Sequence, residues 1–342
     1  MTVQAAAGAL DDAARALGER LDVDGPALLR ERSEILRIAP AGTTSAGGTC
    51  RLLVARDGRW IAINLARRSD TELLAPWMSH EWDGAPWDAV AEHLRSVDSV
   101  DAVERAQLLG IPAAVATEAR AAAPVRVTPG ARRRARGSTP LVVDFSALWA
   151  GPLCARLLRE GGARVIKVEL PERPDGARAG HPAFWDRLNG SKEQRTLEVS
   201  ALARLLDDAD VVVTSARPRA LEQLGLDLGR RAAERGLIWV AITGYGMTGE
   251  WRDRVAFGDD AAVAGGLAVA AGGVDAPVFV GDAPADPLAG LNAADAATRA
   301  LDDGHGAVLD VSMRDGVATA FTEAHYASNI QQGMVVSRKW VA

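Results

Sequence analysis

Thiols are scarce in this chain: Cys50 and Cys154 are its two cysteines among 342 residues. Neither has a second thiol or a histidine at metal-ligand spacing, which disfavours both a disulfide framework and a zinc site. Aromatic residues are few, at 5 %. No apolar run approaches the ~18 residues a membrane-spanning helix requires, and no basic stretch leading into an apolar one opens the chain. A soluble, cytoplasmic protein is expected, with no membrane partner. Excess positive charge is also lacking. The formal net charge of −6 argues against a general nucleic-acid binder. The five histidines, His80, His93, His181, His305 and His325, show no ligand-like spacing, and no metal is expected.

What is present is ample apolar content, 48 %, on a chain long enough for about two domains. Residues 3 to 37 read as helical, within an amino-terminal segment spanning 1–45. Arg51–Leu65 reads as a β-hairpin, with two apolar runs around the turn dipeptide Asp57-Gly58. Trp87–Leu109 carries Val90, Leu94, Val97, Val100 and Val103 near helical spacing and is ended by Gly110-Ile111-Pro112. These elements give a small α+β region over 46–124. A Gly/Pro-rich basic linker is expected at 125–140, with arginines at 132, 133, 134 and 136. A solvated connector is one reading of it, and an arginine reaching a phosphate is the other.

From 141 to 342 the pattern changes. Leu141–Phe145 is an apolar run suited to a buried parallel strand, Pro152 suits a first helical turn lasting to Glu160, and Arg164–Glu169 is a second strand. Strands at Val211–Thr214, Leu237–Thr243 and Ala307–Val311 alternate with helices at Ala203–Asp207, Arg219–Leu224, Asp259–Val269 and Pro287–Leu301, with another helix from Arg314. Such alternation predicts an α/β core: a Rossmann-like parallel sheet with helices on both faces. Ligands then sit beyond the carboxyl ends of the strands. Cys154 falls on the apolar face of the first core helix and is expected to be a packing residue.

The stretch Val143-Asp144-Phe145-Ser146 with Ala150-Gly151-Pro152 and Val165-Ile166-Lys167-Val168-Glu169 resembles the opening of the class III CoA-transferases, the CaiB/BaiF-type family. Further strings follow in that family's order: Arg217-Pro218, Thr243-Gly244-Tyr245-Gly246, Ala285-Asp286-Pro287-Leu288-Ala289-Gly290 and Val308–Ser312. Gly48 to Thr117 resembles the small domain that relatives carry after the core, here placed before it. The resemblance implies coenzyme A as part of the substrate, an acyl-CoA and a carboxylic acid as partners, and an interlocked homodimer, with a hetero-oligomer as the alternative.

Moving CoA between acids without loss to water favours a covalent intermediate. The resemblance makes Asp286 the nucleophile, forming a mixed anhydride and then an enzyme–CoA thioester. Sequence physics alone gives Asp286 another task, capping a helix whose first residue is Pro287. An ordinary aspartate, with a pKa of about 3.9, is ionised at neutral pH and needs no base. Asp282 is its rival. Gly244, Tyr245 and Gly246 follow a strand, where they line the thioester and supply oxyanion donors, or else form an ordinary turn. Trp149, Ala150 and Gly151 border the acyl group by family position. Trp149 stands where some relatives carry a polar side chain, implying an apolar pocket or a closed one. CoA contacts are expected from Arg173, Arg178, Lys192, Arg195, Ser215, Ala216 and Arg217, each with a surface role as its alternative. The racemase branch of the fold places a histidine in Phe257-Gly258-Asp259-Asp260, and none is there. A non-catalytic CoA-binding subunit, or an acyl-CoA racemase or isomerase, are the rival functions.

Overall fold

The computed structural model describes residues 1–117, 120, 122–133, 137 and 139–321. Two helices open the chain, α1 (Val3–Leu21) and α2 (Gly25–Leu36), the second begun by an Asp24 cap and Pro26. A small α+β unit follows: β1 (Cys50–Val54), β2 (Trp60–Asn64), α3 (Arg68–Glu72), α4 (Leu74–Met78), α5 (Pro86–Leu94), α6 (Ser99–Leu109) and β3 (Ala113–Val115). Its three strands form an antiparallel sheet in the order β1-β2-β3. The hairpin turns through Gly58 at φ 76°, a left-handed conformation that glycine adopts without strain.

The remaining elements build the large unit: β4 (Val125–Arg132), β5 (Leu141–Phe145), α7 (Ala150–Glu160), β6 (Arg164–Glu169), α8 (Pro182–Asn189), β7 (Glu193–Thr196), α9 (Val199–Asp208), β8 (Val211–Thr214), α10 (Pro218–Leu224), α11 (Leu228–Arg235), β9 (Ile238–Thr243), α12 (Gly258–Ala264), α13 (Leu267–Gly272), α14 (Ala285–Asp303) and β10 (His305–Ser312). Residues 313–321 are helical. The seven-stranded sheet runs β4-β10-β9-β8-β5-β6-β7, parallel except for the edge strand β4. One face packs α7, α14 and the amino-terminal α1 and α2; the other packs α9, α10 and α11. Strand order reverses between β5 and β8, which opens a crevice at their carboxyl ends.

Three expectations are corrected. The basic linker is half strand: Val125–Arg132 pairs with β10, and Pro129 is tolerated because β4 is an edge. Within it Arg133 is an internal tie, donating to Asp210 (2.8 Å) and the Leu301 carbonyl, while Arg134 and Arg136 lie outside the described residues. The helix expected over Trp87–Leu109 is two helices, α5 and α6. Asp98 between them is gripped by Arg56, and the Asp57 carboxylate accepts from the Ser99 amide and hydroxyl, so contacts from the hairpin fix the break. The helix expected over Asp259–Val269 is broken at Gly265-Gly266, where Gly266 has φ 93°. A Cβ at Gly265 would sit 2.8 Å from the Arg314 carbonyl, so close packing also requires glycine there.

The small unit is seated on α12 and α13. Cys50, Leu52, Ala62 and Ala116 pack with Val263, Ala268, Val269 and Phe279. Asn64 donates to Asp260 (3.0 Å), and Gln107 exchanges hydrogen bonds with the Val255 backbone (3.0 and 2.8 Å). Both cysteines are buried, and burial pushes each thiol well above its ordinary range.

Candidate active site

Asp286 lies in the first turn of α14 but does not cap it. The cap position is Pro284, and Asp286 is the second helical residue, so its carboxylate is free of the capping task expected from Asp286-Pro287. The loop before the helix explains this. Ala283 adopts φ 43°, its amide donates to Asp259 (3.1 Å), and its carbonyl accepts from the Asp286 amide (3.0 Å), starting the turn two residues early. The Asp286 carboxylate instead faces the backbone amide of Ala150, the first residue of α7, which favours its anion. Two helix amino termini thus converge on one carboxylate, an arrangement that favours anions. Glycines allow the approach. A Cβ at Gly290 would lie 2.9 Å from the Ala150 carbonyl, and one at Gly258 would lie 2.3 Å from an Asp286 carboxylate oxygen.

The surroundings oppose full ionisation. Burial, reinforced by Asp259 and Asp282, pushes Asp286 up to about 7 despite Arg32 and the Ala150 amide. Asp259 is pushed up to about 6 by burial and by Asp282, with Arg32, the Ala283 amide and the Ser45 hydroxyl opposing. Asp260, fully buried on α12, is pushed up to about 7 by burial and by Asp259, against the hydrogen bonds from Asn64 and Phe257. Burial thus raises Asp286 well above the ordinary aspartate range from which the sequence expectation started.

Arg32 was invisible to sequence reasoning. It reaches in from α2, forks onto Asp282 at 2.5 and 2.8 Å, and lies over the Trp149 ring at 4.9 Å. Nothing in the helix LLRERSEIL marks this arginine above its neighbours, since its partner is 250 residues away. Asp282, the rival nucleophile, is 1 % exposed and occupied by that ion pair.

Trp149, Ala150 and Gly151 open α7 beside Arg32 and Asp286, and Trp149 is 2 % exposed and edge-on to Phe184 at 5.2 Å. Of the two readings of this position, the closed one fits. Gly151 packs on Ser146. Ser215 stands at the β5/β8 crevice, where its hydroxyl accepts from the Ala147 amide at 2.8 Å, and Ala216 and Arg217 follow it. The structure thus brings the Trp149–Gly151 and Ser215–Arg217 segments together. Lys192 is corrected: its ammonium is buried and held by Asp144, Asn189 and the Pro152 carbonyl at 2.8 to 2.9 Å, leaving nothing for a phosphate. Arg178 stacks over Trp185 at 4.2 Å while pairing with Glu169, Arg195 pairs with Glu193, and Arg173 and Arg217 are exposed. Gly244, Tyr245 and Gly246 are buried. The Gly246 and Met247 amides are taken by Thr243 and Asp310, so the amide beside the carboxylate is that of Ala150.

Residues 140–339 match the profile of CoA-transferase family III. Succinyl-CoA–D-citramalate CoA-transferase of Chloroflexus aurantiacus is 32 % identical over 195 residues, covering 52 % of this chain and 48 % of that protein. The alpha subunit of succinyl-CoA–L-malate CoA-transferase from Chloroflexus aurantiacus is 31 % identical, covering 52 % and 46 %. A crystal structure of a CAIB/BAIF family protein from Brucella suis aligns with a TM-score of 0.48 and 26 % identity, over 60 % of each chain. The chain spans about half the length of the curated relatives it matches. With its profile matched over more than half the sequence, the chain belongs to CoA-transferase family III.

Proposed function

We propose that the chain moves CoA from an acyl-CoA to a carboxylic acid, with Asp286 as nucleophile. The observation that carries this is a carboxylate beside the Ala150 amide at two converging helix starts, facing the space that Gly258 leaves without a side chain. In the first step an Asp286 oxygen attacks the thioester carbonyl, the C–S bond breaks, and CoA leaves as thiolate. The acyl-aspartyl anhydride is then cleaved by that thiolate at the aspartyl carbonyl, releasing the first acid and leaving an enzyme–CoA thioester. The acceptor carboxylate attacks this thioester, and CoA thiolate returns to the acceptor's acyl carbon, freeing Asp286. Activated acyl carbon is never offered to water.

Only ionised Asp286 is nucleophilic, so the rate rises with pH through about 7. Arg173, Arg178, Arg195 and Arg217 are the side chains available to CoA phosphates near the crevice. In this reading residues 46–124 act as the small domain, 141–342 as the CoA-binding core, and the assembly is a homodimer.

A second reading has a specific motive. Trp149 and Arg32 lie beside Asp286, and relatives are named as alpha and beta subunits of one enzyme. The chain would then bind CoA and need a second, different chain for turnover. Incubation with a panel of acyl-CoAs and acceptor acids separates the readings. CoA transfer abolished by Asp286→Ala supports the first, and binding without turnover supports the second. Exchange of the α-proton without transfer contradicts both.

A further inference from the structure

A cavity of about 340 Å³ lies between the small unit and the sheet, just past the carboxyl ends of β9 and β10. Val103 and Glu104 of α6 and Val115 of β3 form one wall, and Tyr245, Trp251, Arg254 and Arg314 form the other. It is a different place from Asp286. Ala264 touches the cavity and Gly258 touches Asp286, and these are the opposite ends of α12, about 9 Å apart along the helix.

The polar groups here are arranged for a ligand. Tyr245 is 5 % exposed, yet its hydroxyl has no hydrogen-bond partner among the described residues. Buried hydroxyls normally have one, so this phenol is set to donate to something that enters. Burial, with Asp260 behind it, pushes the phenol's pKa up and keeps it a donor. The Arg254 and Arg314 guanidiniums lie over the Trp251 ring at 4.2 and 5.4 Å, and each is 6.0 Å from the Tyr245 ring. Glu104 holds Arg254 and Asp315 holds Arg314, fixing both forks while leaving other N–H groups unused. With Arg59 and Arg120 also lining the cavity, four arginines face the carboxylates of Glu104 and Asp315, a balance that favours an anion. Val103 and Val115 suit an apolar body, and the volume falls in the ~300–1,000 Å³ range of small-molecule sites.

We propose that this cavity is a second ligand site that takes a small organic carboxylate with a compact apolar or aromatic body. The carboxylate accepts from the Tyr245 hydroxyl and from Arg254 and Arg314, and its body lies against Val103 and Val115. The assignment stands independently of the role given to Asp286.

The test is a titration of the full chain with phenylacetate, followed by calorimetry, beside the neutral analogue 2-phenylethanol. Saturable binding of the acid is expected, with the alcohol at least about tenfold weaker, since hydrogen bonds to a charged group carry the difference. Tyr245→Phe, which keeps the ring packing, is expected to weaken the acid about tenfold with an unchanged melting curve. Arg254→Gln is expected to weaken it similarly, and Asp286→Asn to leave it intact. The proposal is overturned by an acid that does not saturate, by an alcohol that binds as well as the acid, or by a Tyr245→Phe variant that binds like the parent. Loss of binding in Asp286→Asn would place the probe at the other site and overturns it equally.

Discussion

Replacing Asp286 with asparagine keeps the shape of the side chain and its acceptor for the Ala150 amide, and removes its charge. In the folded chain the carboxyl is raised from 3.8 to about 7, mainly by burial. Each pH unit of that displacement costs the ionised native state about 1.4 kcal/mol, giving about 4 kcal/mol in all. Residual solvent access and adjustment of Arg32 reduce this, and about 2 kcal/mol is the expected effect. The sign follows from proton counting. Below about pH 4 Asp286 is protonated in both folded and unfolded chains, and no penalty exists. Between about pH 4 and 7 the unfolded chain releases the proton first, so native stability falls as pH rises, and the full penalty holds above about pH 7. Urea unfolding near pH 3 and pH 8 therefore separates the two proteins: nearly equal in the acid sample, with asparagine more stable by about 2 kcal/mol in the alkaline one. Equal stability at both pH values, or a less stable variant at pH 8, would refute the reasoning. A catalytic group held at a cost to the fold is a familiar trade.

The other expectations follow from the same contacts. Arg32→Ala leaves the buried Asp282 without its fork, so chemical denaturation is expected to register a loss of about 3–5 kcal/mol, while the pH at which activity is half-maximal moves upward because a cation near Asp286 is gone. Gly258→Ala places a methyl 2.3 Å from the Asp286 carboxylate. It is expected to lower kcat at least about tenfold, at about 1–3 kcal/mol of stability, as measured by steady-state kinetics beside thermal melting. Lys192→Met strands Asp144 in the interior and is expected to cost about 3–5 kcal/mol. A raised KM for acyl-CoA without that stability loss would instead restore Lys192 as a phosphate ligand.

How much of this was legible in the sequence depends on the distance over which each feature is decided. In the unit β5-α7-β6 both strands were read to the residue and the helix to within its first turn, which opens at Ala150 where a turn was expected, because an apolar run, Pro152 and the Gly161-Gly162 stop are all local signals. Strand β4 was missed because its partner β10 is more than a hundred residues away and Arg126–Pro140 looks like a tether by composition. The break between α5 and α6 was missed for the same reason, since Asp57 and Arg56 impose it from the hairpin. At the site, the family strings located Asp286 and the Ala150 turn, but no spacing rule could place Arg32 beside them. Lys192 was misread because a cation in a basic segment looks solvent-facing, whereas the fold closes α7 and α8 over it and provides Asp144. The raised pKa of Asp286 could not be read from the sequence, because burial, which outweighs a helix start here, belongs to tertiary structure alone.

The account rests on Asp286 accepting an acyl group, and hydroxylamine trapping examines that step directly. The full chain is mixed with succinyl-CoA, quenched with hydroxylamine, digested with trypsin and sequenced by fragmentation mass spectrometry. The peptide Val255–Arg299 is expected to carry a hydroxamate on Asp286, absent when acyl-CoA is omitted. An unmodified peptide despite measurable CoA transfer, or a hydroxamate on Asp259 or Asp282 with Asp286 intact, would contradict it.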